Sequence, residues 1–152
     1  MLLFQQSQRL LERAFKLLSI RDHSCHELQE KLLRKGWSSQ SVNDVISYLC
    51  EKGYLNDELF AEKYVEYKSL GSPRGLYKLK MELKQKGLDD ALINRVLSGF
   101  SGNEAALAEI FLKRKSGTLK RFSGEEKKRK VFRMLQNRGF SAETIYRVME
   151  SW

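Results

Sequence analysis

Lys31-Leu32-Leu33-Arg34-Lys35-Gly36-Trp37-Ser38-Ser39 decides the fold, because the stretch comes back twice: around Gly87, as Lys86-Gly87-Leu88-Asp89, and around Gly139, as Arg138-Gly139-Phe140-Ser141. The three glycines lie 51 and 52 residues apart. Each follows a basic residue and precedes a large apolar one and then a residue of N-cap type. That is the grammar of one helix ending on a left-handed glycine, with a cation near its negative end, and the next helix opening two residues later.

The apolar positions superpose outward from the glycines. Eight and four residues before each stand Leu28, Leu79, Val131 and Leu32, Leu83, Leu135; after it come Val42, Ile93, Ile145, then Val45, Val96, Val148, then Ile46, Leu97, Met149, and last Leu49, Phe100, Trp152. Spacings of three and four mark one face of a helix, so the repeat is one of packing. A further helical segment precedes each hairpin, at residues 5–20, 57–70 and 104–115. The reading is all-α: three tandem three-helix repeats, nine helices in all, over residues 1–53, 54–100 and 101–152. Units of this size bury little alone, so each is expected to lean on the next in an elongated, curved array with hinges at its joints. Capping boxes are expected at Ser24 with Glu27 and at Ser123 with Glu126, and a first-position proline at Pro73. Residues 116–124, with two glycines and no periodicity, are expected to be a mobile loop.

Composition narrows the function. The 152 residues carry 28 Lys and Arg against 19 Asp and Glu, a net charge of +9, with one proline and two cysteines. No run approaches the ~20 apolar residues of a membrane span, and Gln5-Gln6-Ser7-Gln8-Arg9 cuts short the Met1-Leu2-Leu3-Phe4 opening, so a cytoplasmic protein without a signal peptide is expected. Two cysteines make no disulfide framework. His23, Cys25, His26 and Cys50 lack paired zinc spacings and read as a helix opening with free thiols; Asn56-Asp57 and Asp89-Asp90 read as helix caps. No catalytic, cofactor or small-molecule motif is found, so a non-enzymatic role without metal is expected.

The charge concentrates at one end. The three repeats carry net charges of +2, +1 and +6. Lys113, Arg114, Lys115, Lys120, Arg121, Lys127, Lys128, Arg129, Lys130 and Arg133 bracket the expected loop and are the candidate phosphate contacts, against the alternative of a solvated face that only confers solubility. Lys80 and Lys84 form a smaller set on the middle repeat's second helix; nearby Lys78 with Glu82 reads equally well as an ordinary helix pair. Two of the three candidate reader helices open with a carboxylate (Asp90, Glu143), which predicts contacts to single- and double-stranded DNA without sequence preference.

Arg21-Asp22-His23-Ser24, Glu27-Leu28, Lys31-Leu32 and Lys35-Gly36, then Gly53-Tyr54-Leu55-Asn56-Asp57 with Phe60-Ala61, Arg74, Leu83, Lys86-Gly87 and Arg138-Gly139-Phe140, together resemble the RecX family of bacterial regulatory proteins. The likeness spans nearly the whole chain. It implies a helical-repeat modulator that binds RecA filaments on DNA and mostly suppresses their ATP hydrolysis, strand exchange and co-protease activity, in recombination, DNA repair and the SOS response. Tyr54, Leu55 and Arg74 match family-typical positions and are the expected partner-facing anchors, with Lys78 beside them. A DNA-binding or architectural protein without a RecA partner is the alternative.

Overall fold

Helices form where the apolar spacing places them. The computed structural model describes residues 2–152, with side chains from Gln5 onward; the Met1-Leu2-Leu3-Phe4 opening lies outside the described side chains. The first repeat holds α1 (Leu2–Ile20), α2 (Cys25–Arg34) and α3 (Ser39–Glu51); the second holds α4 (Asp57–Gly71), α5 (Leu76–Gln85) and α6 (Asp90–Ser98). After a 3₁₀ turn at Ser101–Asn103 come α7 (Glu104–Arg114), α8 (Ser116–Leu119), α9 (Gly124–Asn137) and α10 (Ala142–Met149). Ten α-helices therefore stand among the described residues, where nine are expected from the sequence. The extra one lies in the segment expected to be a mobile loop: Ser116–Leu119 makes a helical turn because Leu119, 1% exposed, anchors it in the third core.

The glycine turns are alike in all three repeats. Gly36, Gly87 and Gly139 have φ of +88°, +80° and +77°. Their N–H groups each donate at 2.9 Å to the carbonyl three residues earlier, satisfying carbonyls that a helix end leaves open. Ser38, Asp89 and Ser141 then cap the next helix by accepting from the N–H of Ser41, Leu92 and Thr144. Each repeat closes over its own apolar cluster, with Leu28 and Leu32, Leu79 and Leu83, and Val131 and Leu135 in equivalent places.

Two expected caps differ. Ser24 and Glu27 form the reciprocal box, but Ser123 makes no side-chain cap bond, because Gly124 enters α9 at φ +54°. Pro73 does not open α5 either: Gly75 is the N-cap and Leu76 the first helical residue. Space explains the shift. A Cβ on Gly75 would lie 2.1 Å from the Gly139 carbonyl oxygen, so only glycine fits where two backbones meet.

That meeting is one of two joints built to the same plan: the amino end of one repeat's second helix sits on the glycine turn of the next repeat. At the first joint Ser24 Oγ donates to the Lys86 carbonyl at 2.6 Å and Lys86 Nζ donates to Glu27 Oε1 at 2.8 Å, while the Cys25 N–H donates to Asp57 Oδ1 at 2.8 Å. At the second, the N–H groups of Gly75 and Tyr77 donate to the carbonyls of Arg138 and Gly139, and Arg138 Nη1 donates to Ser72 Oγ. Both Nη atoms of Arg114 close the carboxyl end of α4 on the carbonyls of Leu70 and Gly71. The expected hinges are thus hydrogen-bonded joints. Stacking in one direction leaves the molecule extended: its 9860 Å² of accessible surface compares with about 8000 Å² for a compact monomer of this mass.

The first joint is acid-labile. Burial pushes the Glu27 carboxyl up, but hydrogen bonds and charge from Lys86 and Arg21 win and hold it at about 2, below its ordinary 4.5. A depressed carboxylate stabilises the fold above its unfolded value and loses that contribution as pH falls from 4.5 toward 2. Glu27→Gln is expected to cost about 2 kcal/mol at pH 7 and to flatten stability across that interval, read by urea denaturation at stepped pH.

Candidate nucleic-acid interface

The ten candidate cations of the third repeat fall into distinct groups. Arg114 is taken up at the second joint, so it is not available to phosphate as expected from sequence. Lys127 lies over the Trp152 ring at 5.8 Å and Lys130 over Phe122 at 5.5 Å; both are half-buried. Lys128 pairs with Glu125 at 3.1 Å across the exposed first turn of α9. Lys113, Lys115, Lys120, Arg121, Arg129 and Arg133 are exposed and paired with no carboxylate among the described residues.

Local structure gathers the first four of these six. Lys113 and Lys115 end α7, Lys120 and Arg121 end α8, and the buried Leu119 pins the turn that joins them. Arg129 and Arg133, one helical turn apart, flank a shallow groove of α9 and α10 that Phe132 and Met149 also line. Tyr146, 62% exposed, lies 6.0 Å from the Phe132 ring. Sequence reasoning missed Phe132 and Tyr146, although each directly precedes an arginine, Arg133 and Arg147. Cations beside an exposed ring, here Tyr146 with Phe132 half-buried behind it, form a surface to which phosphates and base faces can both bind.

The middle repeat's smaller set is less free. Lys80 donates to Asn94 at 3.2 Å and Lys84 to Asp90 at 2.9 Å, the latter bond holding the Asp90 carboxyl below its usual range. Lys78 does not pair with Glu82. Glu82 instead accepts from Arg74 Nη1 and, at 3.0 Å, from the Tyr64 hydroxyl, which burial and that bond push up to about 12. Arg74 is thereby held inside the repeat and Leu55, 4% exposed, in the first core, so neither presents its side chain to a partner as expected. Tyr54 is 57% exposed, braced edge-on against Phe15.

Among the described residues no group of three or more His, Cys, Asp or Glu is placed to hold a metal. His23 is buried, with Nδ1 2.9 Å from the Arg21 carbonyl; that bond needs the proton on Nδ1, which leaves Nε2 to accept from Lys31 at 2.8 Å. Burial lowers its pKa and keeps the ring neutral. Cys25 and Cys50 face each other at 3.4 Å, and burial followed by that contact pushes the Cys25 thiol up. Asn56 and Asp89 cap their helices as read from sequence, whereas Asp57 and Asp90 serve the α2 amino end and Lys84.

Three glycine-turned helical repeats in tandem, with bonded joints and a cationic far end, define an all-α tandem-repeat class of protein; among the described residues no helix is long and apolar enough to cross a membrane. Family models for the first, second and third three-helix domains of RecX match residues 11–49, 56–97 and 103–149. The chain is 35% identical to the regulatory protein RecX of Pelodictyon phaeoclathratiforme, over 87% of this chain and 81% of that protein. With the regulatory protein RecX of Chlorobium limicola it shares 35% identity over 91% and 88% of the two chains. The crystal structure of RecX from Lactobacillus salivarius shares the fold, with a TM-score of 0.86 at 21% identity, covering 97% of this chain and 96% of that one. The chain belongs to the RecX family.

Proposed function

We propose that this protein is a cytoplasmic, non-enzymatic modulator of RecA, binding RecA filaments on DNA and lowering their ATP hydrolysis, strand exchange and co-protease activity. Membership of the RecX family supports the partner. The observation that carries the mode of action is the set of six cations that meet no carboxylate among the described residues, at one end of an extended array whose joints are bonded. An array of this form touches several protomers of a polymer at once and acts by stabilising one filament arrangement over another. Lys113, Lys115, Lys120 and Arg121, with Arg129 and Arg133, hold phosphates without reading bases.

The test is direct. Added to RecA-coated single-stranded DNA, the protein should lower ATP turnover and strand exchange; unchanged turnover at saturating protein refutes the proposal, and tight binding to naked DNA without affinity for RecA selects an architectural DNA-binding role instead. Charge reversal at Lys120 and Arg121 should weaken naked-DNA binding at least tenfold and reduce the salt slope by about 0.9 for each phosphate no longer neutralised. Reversal at Lys80 and Lys84, already engaged with Asn94 and Asp90, should change it less than threefold. Anisotropy titrations on oligonucleotides of unrelated sequence measure both.

A further inference from the structure

Helix α4 is apolar on two faces. Phe60, Ala61 and Val65 are buried in the second core, yet Leu59, Tyr67 and Leu70 stand 47%, 70% and 70% exposed. Leu59, Tyr67 and Leu70 lie on one side of the helix by their spacing, with Lys63 among them, so the exposed apolar groups share a face rather than scatter. A helix apolar on both sides is one that expects cover on both. The stripe borders a groove of about 470 Å³ between the end of α1 and α4 that runs from Arg21 to Lys86, and a second hollow continues it past Lys63 to Tyr54.

Charge on the rim identifies the occupant. Four cations, Arg21, Lys63, Lys68 and Lys86, face two carboxylates. Glu27 is shared by Arg21 and Lys86, and Asp22 takes Lys63. Among the described residues Lys68 pairs with no carboxylate, and it rests over the rings of Tyr64 and Tyr67, at 5.2 and 5.5 Å. The rim is therefore electropositive and one ammonium is uncompensated. Nucleic acid would answer the charge and the Tyr67 ring but not Leu59 and Leu70, which offer no face on which a base can stack; an exposed aromatic with a leucine on either side along the helix matches an apolar protein surface.

We infer that the outer face of α4, with its cationic rim, is a docking site for an acidic, apolar-faced segment of a partner protein. The inference rests on the proposed RecA reading and names the surface that serves it, separate from the DNA-facing cations of the third repeat. Tyr67 and Leu70 fill apolar hollows on the partner and Lys68 meets a carboxylate there.

The test uses the full chain, RecA filaments on poly(dT) and naked dT oligonucleotide. Two variants are compared with wild type: Tyr67→Ser with Leu70→Ser, and Lys68→Glu alone. The first replaces exposed groups and the second keeps all the apolar surface, so a folding defect in one leaves the other decisive, and thermal unfolding checks each. Filament affinity should fall at least tenfold for both, with naked-DNA affinity within twofold of wild type. Wild-type filament binding unaltered by either variant overturns the inference alone. A parallel fall in naked-DNA affinity also overturns it, by making the face a nucleic-acid surface. Absence of wild-type filament binding overturns the RecA reading itself, and this inference with it.

Discussion

Gly139→Ala should lower stability by about 3–4 kcal/mol, whereas the same change at Gly36 should cost about 1 kcal/mol, although the two glycines share one backbone conformation. The common part is the strain of placing a Cβ at φ near +80°, about 1 kcal/mol. Surroundings set the difference. At Gly36 an added Cβ meets nothing within 4 Å; at Gly139 it comes within 2.6 Å of both the Cβ and the backbone nitrogen of Lys78. Relief requires α5 to lift off the turn, which breaks the bonds from the Gly75 and Tyr77 N–H groups to Arg138 and Gly139, each worth about 1 kcal/mol. For a chain of this size the melting temperature falls by about 2–4 °C per kcal/mol, so roughly 10 °C is expected for Gly139→Ala against roughly 3 °C for Gly36→Ala. Equal shifts in a calorimetric comparison would show that the joint contributes nothing. Gly87 belongs with Gly139, since its Cβ would lie 2.3 Å from that of His26.

This contrast also marks where the sequence stops being readable. The threefold turn grammar is legible because each signal is local: a cation, a left-handed glycine and a cap lie within four residues, and the apolar face is periodic around them. Whether a given glycine turn is open or covered depends on a residue more than sixty positions away, as Lys78 is from Gly139, and no local pattern encodes that distance. For the same reason hinges are expected where the structure has bonded joints. The Ser116–Leu119 turn is hidden because a single buried leucine has no period. Among the candidate site residues, the run of positive charge is plain in the sequence, but its division is tertiary: Arg114 is drawn to the end of α4, Lys127 and Lys130 to aromatic rings and Lys128 to Glu125, and six side chains meet no carboxylate among the described residues. Arg74 and Leu55 sit at positions that suggest a partner, yet Glu82 and the first core claim them.

Glu104 should prove to be the costliest polar side chain to remove. It is 4% exposed and its carboxylate accepts four hydrogen bonds: Oε1 from the N–H groups of Leu76 and Ser141 at 3.0 and 3.2 Å, and Oε2 from the hydroxyls of Ser141 and Thr144 at 2.7 and 2.6 Å. It therefore joins the first turns of α5 and α10, so that one charge supports the amino ends of helices in two repeats. Burial alone would raise its pKa, but the bonds from Thr144, Ser141 and the backbone of Leu76 and Ser141 outweigh burial and hold it below the ordinary 4.5. Glu104→Ala leaves two backbone donors and two hydroxyls without their acceptor in a dry site, for an expected cost of about 4 kcal/mol at pH 7. Glu104→Gln keeps a carbonyl oxygen for the two N–H groups and lets the hydroxyls rotate to accept from its amide, so about 1–2 kcal/mol is expected. The pH dependence separates charge from packing. Because the folded pKa is depressed, the carboxylate's contribution is present above 4.5 and disappears as pH falls through the folded value, while glutamine does not titrate. The gap between wild type and Glu104→Gln in urea should therefore narrow as pH drops below 4.5, with Glu27 unchanged in both chains and cancelling from the comparison. A gap constant from about pH 7 to about pH 3 would mean that Glu104 acts by shape alone, and that the second joint owes nothing to the charge at its centre.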